Sequence, residues 1–138
     1  MQITYKKCLL SVVVTTVISL AFSTSWAHHG WGGYNADIDI DVVVTELRLQ
    51  GSHDHITATD SEGKEWDLVL ATPSRNRNLG FNEETLSIGD EVNLIGRLHP
   101  AKAEIKVHCI YVQEEAVYTY YDWDGTTSLS KHSNRDQC

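Results

Sequence analysis

Three short stretches of alternating apolar and polar residues, one stretch that breaks the alternation, and two more alternating stretches constrain the fold of this chain most. The first, Asp37 to Leu49, is rich in Ile and Val around a continuous Val42-Val43-Val44 centre, which predicts a strand that is bulged or buried on both faces. Gly51-Ser52 ends it. His53 to Thr59 follows, with Ile56 and Ala58 on one face and His53, His55, Thr57 and Thr59 on the other. Ser61-Glu62-Gly63-Lys64 has turn chemistry, and Glu65 to Ala71 aligns Trp66, Leu68 and Leu70, so these three strands make an antiparallel meander. Pro73 to Phe81 is short, rich in Asn and Arg and ends near Gly80, which predicts one or two helical turns. Glu91 to Leu98 then places Val92, Leu94 and Leu98 on a face with Gly96. After a turn around His99-Pro100-Ala101-Lys102, Glu104 to Glu114 places Ile105, Val107, Cys109 and Tyr111 on one face and His108 on the other. Five strands grouped as three, a helix and two predict an all-β fold: a small barrel of the oligonucleotide/oligosaccharide-binding type, whose helix between strands three and four plugs one end.

The residues ahead of the barrel have the three parts of a secretory signal peptide. Lys6 and Lys7 give a basic start, Cys8 to Phe22 is an apolar run short for a membrane span, and Ser25-Trp26-Ala27 offers small residues where a peptidase reads. Cleavage after Ala27 predicts a periplasmic or secreted protein with no membrane anchor. It leaves 111 of the 138 residues, enough for one domain, and takes the net charge from −8 to −10. An acidic surface without a basic stripe disfavours nucleic acid and anionic membranes as partners. Residues 28–36 then form a Gly- and His-rich arm, 37–114 the barrel, and 115–138 a tail that is aromatic through Trp123 and polar afterwards. No internal repeat is visible.

Cys109 and Cys138 remain after processing. In an oxidising compartment the pair suggests one disulfide, and Cys109 on an apolar strand face equally suits a buried thiol.

Processing would start the mature chain at His28, whose α-amine and imidazole together can chelate a transition metal. His29 adds an imidazole, and His53 and His55 offer two more from the start of the second strand; His99 and His108 are weaker candidates. Nitrogen ligation places copper ahead of zinc. Gly30 at the third position rules out the backbone-amide chelate that needs a histidine there. The plainer reading is a sticky terminal tail, with His53 and His55 as solvent-facing strand residues. Ser52-His53-Asp54 is no catalytic triad, because neighbours on a strand point to opposite faces. Asp37, Asp39 and Asp41 share a face but are spread along a strand, which suits a solvated acidic edge better than a calcium loop. Trp31, Tyr34 and Trp66 suggest an aromatic platform or, for Trp66 above all, core packing.

Four stretches carry a family resemblance: His28-His29 followed by Trp31 and Tyr34; His53 after the first strand; Glu65-Trp66-Asp67-Leu68; and Leu86-Ser87-Ile88-Gly89-Asp90-Glu91-Val92 leading to Gly96 and His99-Pro100. Over residues 27 to 112 the chain resembles the small exported bacterial proteins grouped as the domain of unknown function 6152 family. The resemblance implies a fold and an exported address, and no activity. The sequence therefore points to a non-enzymatic exported binding or accessory protein that captures copper or zinc through its processed N-terminus. The competing expectation is a metal-free adaptor for an envelope protein or a small ligand, and a more remote one is a histidine-brace copper oxidoreductase.

Overall fold

The computed structural model describes residues 30–122, 124–132 and 138; the expected leader and the candidate ligands His28 and His29 lie outside the described residues. Strand β1 (Ala36–Arg48) alternates as its sequence requires, with Val42 and Val44 at 3% and 1% exposure and Val43 turned out at 38%. It is thus not buried on both faces. The bulge falls just past the valines: pairing steps from Val44 opposite Ala58 to Glu46 opposite Thr57, and the extra residue, Thr45, donates its hydroxyl to the Thr57 carbonyl at 3.1 Å. That step returns Leu47 and Leu49 to the core.

Strands β2 (His55–Asp60) and β3 (Glu65–Val69) form the expected hairpin. Its turn is tied by Asp60, whose Oδ1 accepts the Glu62 and Lys64 amides, each at 2.9 Å, while Oδ2 accepts the indole N–H of Trp66 at 2.9 Å. Helix α1 (Pro73–Asn78) opens with proline at its first turn, where a missing N–H costs nothing. It stops earlier than the composition predicted, because the Phe81 amide turns back to the Asn76 carbonyl (2.9 Å) and Gly80 takes a φ of 91°.

Strands β4 (Glu91–Leu98) and β5 (Glu104–Val112) complete the barrel. The sheet runs β3-β2-β1-β4-β5, and β3 also pairs in parallel with β5 through Asp67 and Glu104, Leu68 and Ile105, and Val69 and Lys106. Five strands therefore close on themselves with α1 between β3 and β4, the oligonucleotide/oligosaccharide-binding arrangement. Ile56, Leu68, Leu94, Ile105 and Ile110 are wholly buried inside it. β1 pairs with β4 from Ala36 to Val43 and with β2 only from Val42 onward, so exposed Asp37, Asp39 and Asp41 lie on the half of the strand that pairs with β4 and precedes the β2 register. Arg97 meets Asp37 at 3.1 Å, and the Asn93 amide donates to Asp39 and Asp41 at 2.9 and 3.0 Å.

Two features depart from the sequence expectation. Gly96 pairs with Val107 and Ile95 with Cys109, so His108 is an extra residue and strand parity flips there. Ile110 enters the barrel core in place of Cys109 and Tyr111, which pack outside it with Ile95 and Leu129. Second, the aromatic stretch after Glu114 is no tail: β6 (Glu115–Thr119) pairs antiparallel with β5. The connecting Gln113 and Glu114 both have positive φ, 49° and 72°, the twist that tight hairpins need and that Asn or Gly usually supplies. Helix α2 (Ser128–His132) follows, and Cys138 is disulfide-bonded to Cys109 with 5.7 Å between Cα atoms.

Candidate functional site

His53 and His55 bracket Asp54 at the entrance to β2. Asp54 continues the ladder towards β3, its amide bonding to the Ala71 carbonyl and its carbonyl receiving the Leu70 amide. Its side chain is buried at 1% exposure, where Oδ2 accepts the Asn76 amide at 2.7 Å. Alternation then leaves both histidines half-buried on the opposite, outer face.

Each imidazole is held by one nitrogen. His53 Nδ1 lies 2.8 Å from the Leu70 carbonyl oxygen, and His55 Nδ1 lies 2.9 and 3.1 Å from the Asp67 carboxylate oxygens. Carbonyl and carboxylate oxygens only accept, so Nδ1 carries the proton in both rings and Nε2 is the bare nitrogen of the neutral form. This is the arrangement by which proteins orient metal-binding histidines. Asp67 is itself held by Arg48, whose Nη2 donates at 3.1 Å, and Arg48 reaches Glu46, which accepts the Thr57 hydroxyl at 3.2 Å.

Beside this network the segment carrying Trp31 and Tyr34 is anchored on β5. The Trp31 ring stacks on His108 at 4.3 Å and 7°, and stands edge-on to Tyr120 at 5.2 Å. Trp31 is 6% exposed, so it forms packing and not an open platform. The Tyr34 hydroxyl donates to Glu104, and its ring stands edge-on to His99. Burial first, then the Glu104 bond and charge and the nearby Asp67 charge, push the Tyr34 hydroxyl above its ordinary range. Lys106, 3% exposed, sits over the Trp31, Tyr34 and Tyr120 rings at 5.2, 5.9 and 5.9 Å. Burial pulls its ammonium below the usual lysine range, Glu104 opposes that, and Arg75 adds to it.

The other candidate histidines serve different contacts. His99 Nδ1 accepts the Ala101 amide at 3.1 Å. His108 is buried at 1% exposure, its Nδ1 2.6 Å from the Ser128 hydroxyl, because the bulge turns it towards Trp31 and α2. Among the described residues no three or more His, Cys, Asp or Glu side chains gather as a metal cage, so this part of the chain offers a pair of oriented ligands at most. A cleft of about 830 Å³ opens beside Asp41, Glu91, Tyr111 and Glu114, and none of the histidines lines it.

Sequence reasoning missed Asp67 as the partner of His55. The signal was present: His55 pairs with Val69 and Thr57 with Asp67, so His55 and Asp67 are diagonal neighbours on one face. Lys106 carried no such signal, because its cover comes from Trp31, Tyr34 and Tyr120, remote in sequence.

No family model and no curated protein matches the chain. Solved structures do match it. One is a chain of the crystallised Stn1–Ten1 complex of S. pombe, at 14% identity and a TM-score of 0.41, the match covering 64% of this chain and 60% of that one. The fold assignment rests on strand order and barrel closure.

Proposed function

We propose that this is an exported protein that captures a divalent transition metal, copper ahead of zinc, with His53 and His55 as oriented ligands and His28 and His29 as the further donors. The observation that carries the reading is the tethering of both Nδ1–H groups to fixed acceptors, which presents two Nε2 atoms from neighbouring positions on one strand face. Donor chemistry narrows the ion. Beyond Met1 the chain has no methionine, and Cys109 and Cys138 are bonded to each other, so soft sulfur ligands for Cu(I) are missing from the barrel. Imidazole and amine nitrogens favour Cu(II) or Zn(II). Export rests on the leader pattern of residues 1–27 and on the family resemblance.

The test is titration of the secreted protein, bearing its native terminus, with Cu(II) and with Zn(II). Two versions accompany it: one with a single residue added before His28, and His53→Ala/His55→Ala. Weaker binding in both versions is expected. Unchanged binding in the double variant would remove the strand histidines from the site, and unchanged binding in the extended version would remove the terminal amine. No tight binding in the native protein would leave a metal-free adaptor or small-ligand module as the better reading.

A further inference from the structure

The disulfide, the C-terminal helix and the anchored Trp31 all converge on two adjacent residues, His108 and Cys109. Because His108 is the extra residue of the bulge, Cys109 leaves the barrel interior at this point and packs with Ile95 and Leu129. On His108 the Trp31 ring stacks at 4.3 Å, while Nδ1 meets the Ser128 hydroxyl at 2.6 Å. Main-chain bonds reinforce the junction: the Tyr120 amide donates to the His108 carbonyl and the Ser128 amide to the Tyr120 carbonyl, each at 2.8 Å. On Cys109, Leu129 packs with no exposed surface, and the covalent bond to Cys138 crosses a separation of 29 residues.

We propose that the Cys109–Cys138 disulfide is a redox latch for the segment carrying Trp31 and Tyr34, so that its reduction lowers metal affinity. The last clause rests on the metal-capture reading; the latch itself does not. A helix of five residues has no stability of its own, so α2 is held by Ser128, Leu129, the covalent tie and the surface ion pairs of Lys131 with Asp122 and Asp124, at 3.2 and 2.7 Å, which add little at an exposed site. A dithiol reductant supplies two electrons and two protons, the S–S bond becomes two thiols, and the dithiol leaves as its own disulfide. With the tie cut, Leu129 and Ser128 are held by noncovalent contacts alone. His108 then loses the fixed neighbour on one side that holds its ring against Trp31 on the other. Ile56, Leu68, Leu94 and Ile105 belong to the barrel cluster, which Trp31 joins and from which Cys109 and Leu129 are separate, so the barrel interior keeps its packing when the tie to Cys109 is cut.

Amide hydrogen exchange separates the possibilities, comparing the oxidised secreted protein, the same protein reduced with dithiothreitol, and Cys138→Ser. The latch predicts at least tenfold faster exchange at Tyr34, Tyr120 and Ser128, with the β2 and β4 core amides unchanged. Ser128→Ala, with the disulfide intact, should speed exchange at Tyr34 to a lesser degree. Unchanged exchange at those amides on reduction overturns the latch. So does equal loss of protection in the β2 and β4 core, which would make the disulfide a brace for the whole fold. Copper binding is then measured on Cys138→Ser, since dithiothreitol itself chelates copper, and at least tenfold weaker binding is expected. Faster exchange with unchanged affinity overturns the regulatory claim while metal capture stands. Absence of copper and zinc binding in the oxidised protein removes metal capture and regulation together, and leaves the exchange result to decide the latch.

Discussion

Gly96→Ala tests whether the crossing of β4 and β5 is as tight as the bulge at His108 requires. A Cβ built on Gly96 would lie 2.5 Å from the Lys106 carbonyl oxygen, 2.6 Å from Cγ2 of Ile105 and 3.3 Å from the Lys106 carbonyl carbon. None of these neighbours can yield cheaply. The carbonyl belongs to the strand that closes the barrel through β3, and Ile105 has no exposed surface. Overpacking costs about 1–3 kcal/mol, and two rigid contacts place this site near the upper end, at about 3 kcal/mol. For a domain of this size the unfolding entropy is about 230 cal/mol/K, so the melting temperature should fall by about 13 °C. Thermal and urea unfolding followed by far-ultraviolet circular dichroism measure both quantities, with Gly33→Ala as the control, since nothing lies within 4 Å of a Cβ there. The control should stay within about 0.5 kcal/mol. A Gly96→Ala loss under about 1 kcal/mol would show that the crossing relaxes freely and would refute the account of β5 as rigidly positioned.

Asp67→Asn should weaken Cu(II) binding by about 10-fold or more, because His55 loses a charged acceptor. Folding stability should stay within about 1 kcal/mol, since Asp67 pairs with Arg48 at the surface. Calorimetric titration beside urea unfolding separates the two, and unchanged affinity would deny Asp67 its orienting role. Asn76→Ala removes the donor to Asp54 Oδ2, whose other oxygen already has no partner, and should cost about 2–3 kcal/mol in urea unfolding. A cost under about 1 kcal/mol would mean that Asp54 finds another donor. Burial is the main cause that pushes the Tyr118 hydroxyl far above its ordinary range. The folded protein therefore keeps that proton when the unfolded chain releases it, and stability is full below about pH 10 and falls above it by about 1.4 kcal/mol per pH unit for this group. Tyr118→Phe should flatten that alkaline slope while losing about 1 kcal/mol at neutral pH, where the Ala71 amide loses its acceptor. Identical slopes between pH 9 and 11 would refute the assignment.

Most of the barrel was legible in the chain because strand alternation and turn chemistry act over a few residues. The pairs Ile56 and Ala58, Trp66 and Leu68, and Val92 and Leu94 face inward as their spacing predicts. The faces failed where parity flipped at His108, since a bulge leaves no mark in a run of apolar residues and is decided by how β5 meets β4. β6 escaped notice for a related reason: Gln113-Glu114 lacks the Asn-Gly signature, and the strand bonds to β5 hold both residues at positive φ. Of the candidate ligands, the outward placement of His53 and His55 followed from alternation. Their orientation did not, because it depends on Asp67 and Leu70 from the next strand.

By itself, then, the sequence determined the number and order of the barrel strands, the helix between the third and the fourth, and the outer placement of His53 and His55. These follow from local periodicity and local turns. Only the tertiary structure decided which nitrogen of each imidazole is tethered, that Trp31 is buried against His108, that Lys106 is enclosed by three rings, and that Cys109 turns out of the barrel to meet Cys138. Each of those depends on contacts between residues far apart in the chain, and such contacts exist only once the barrel has closed.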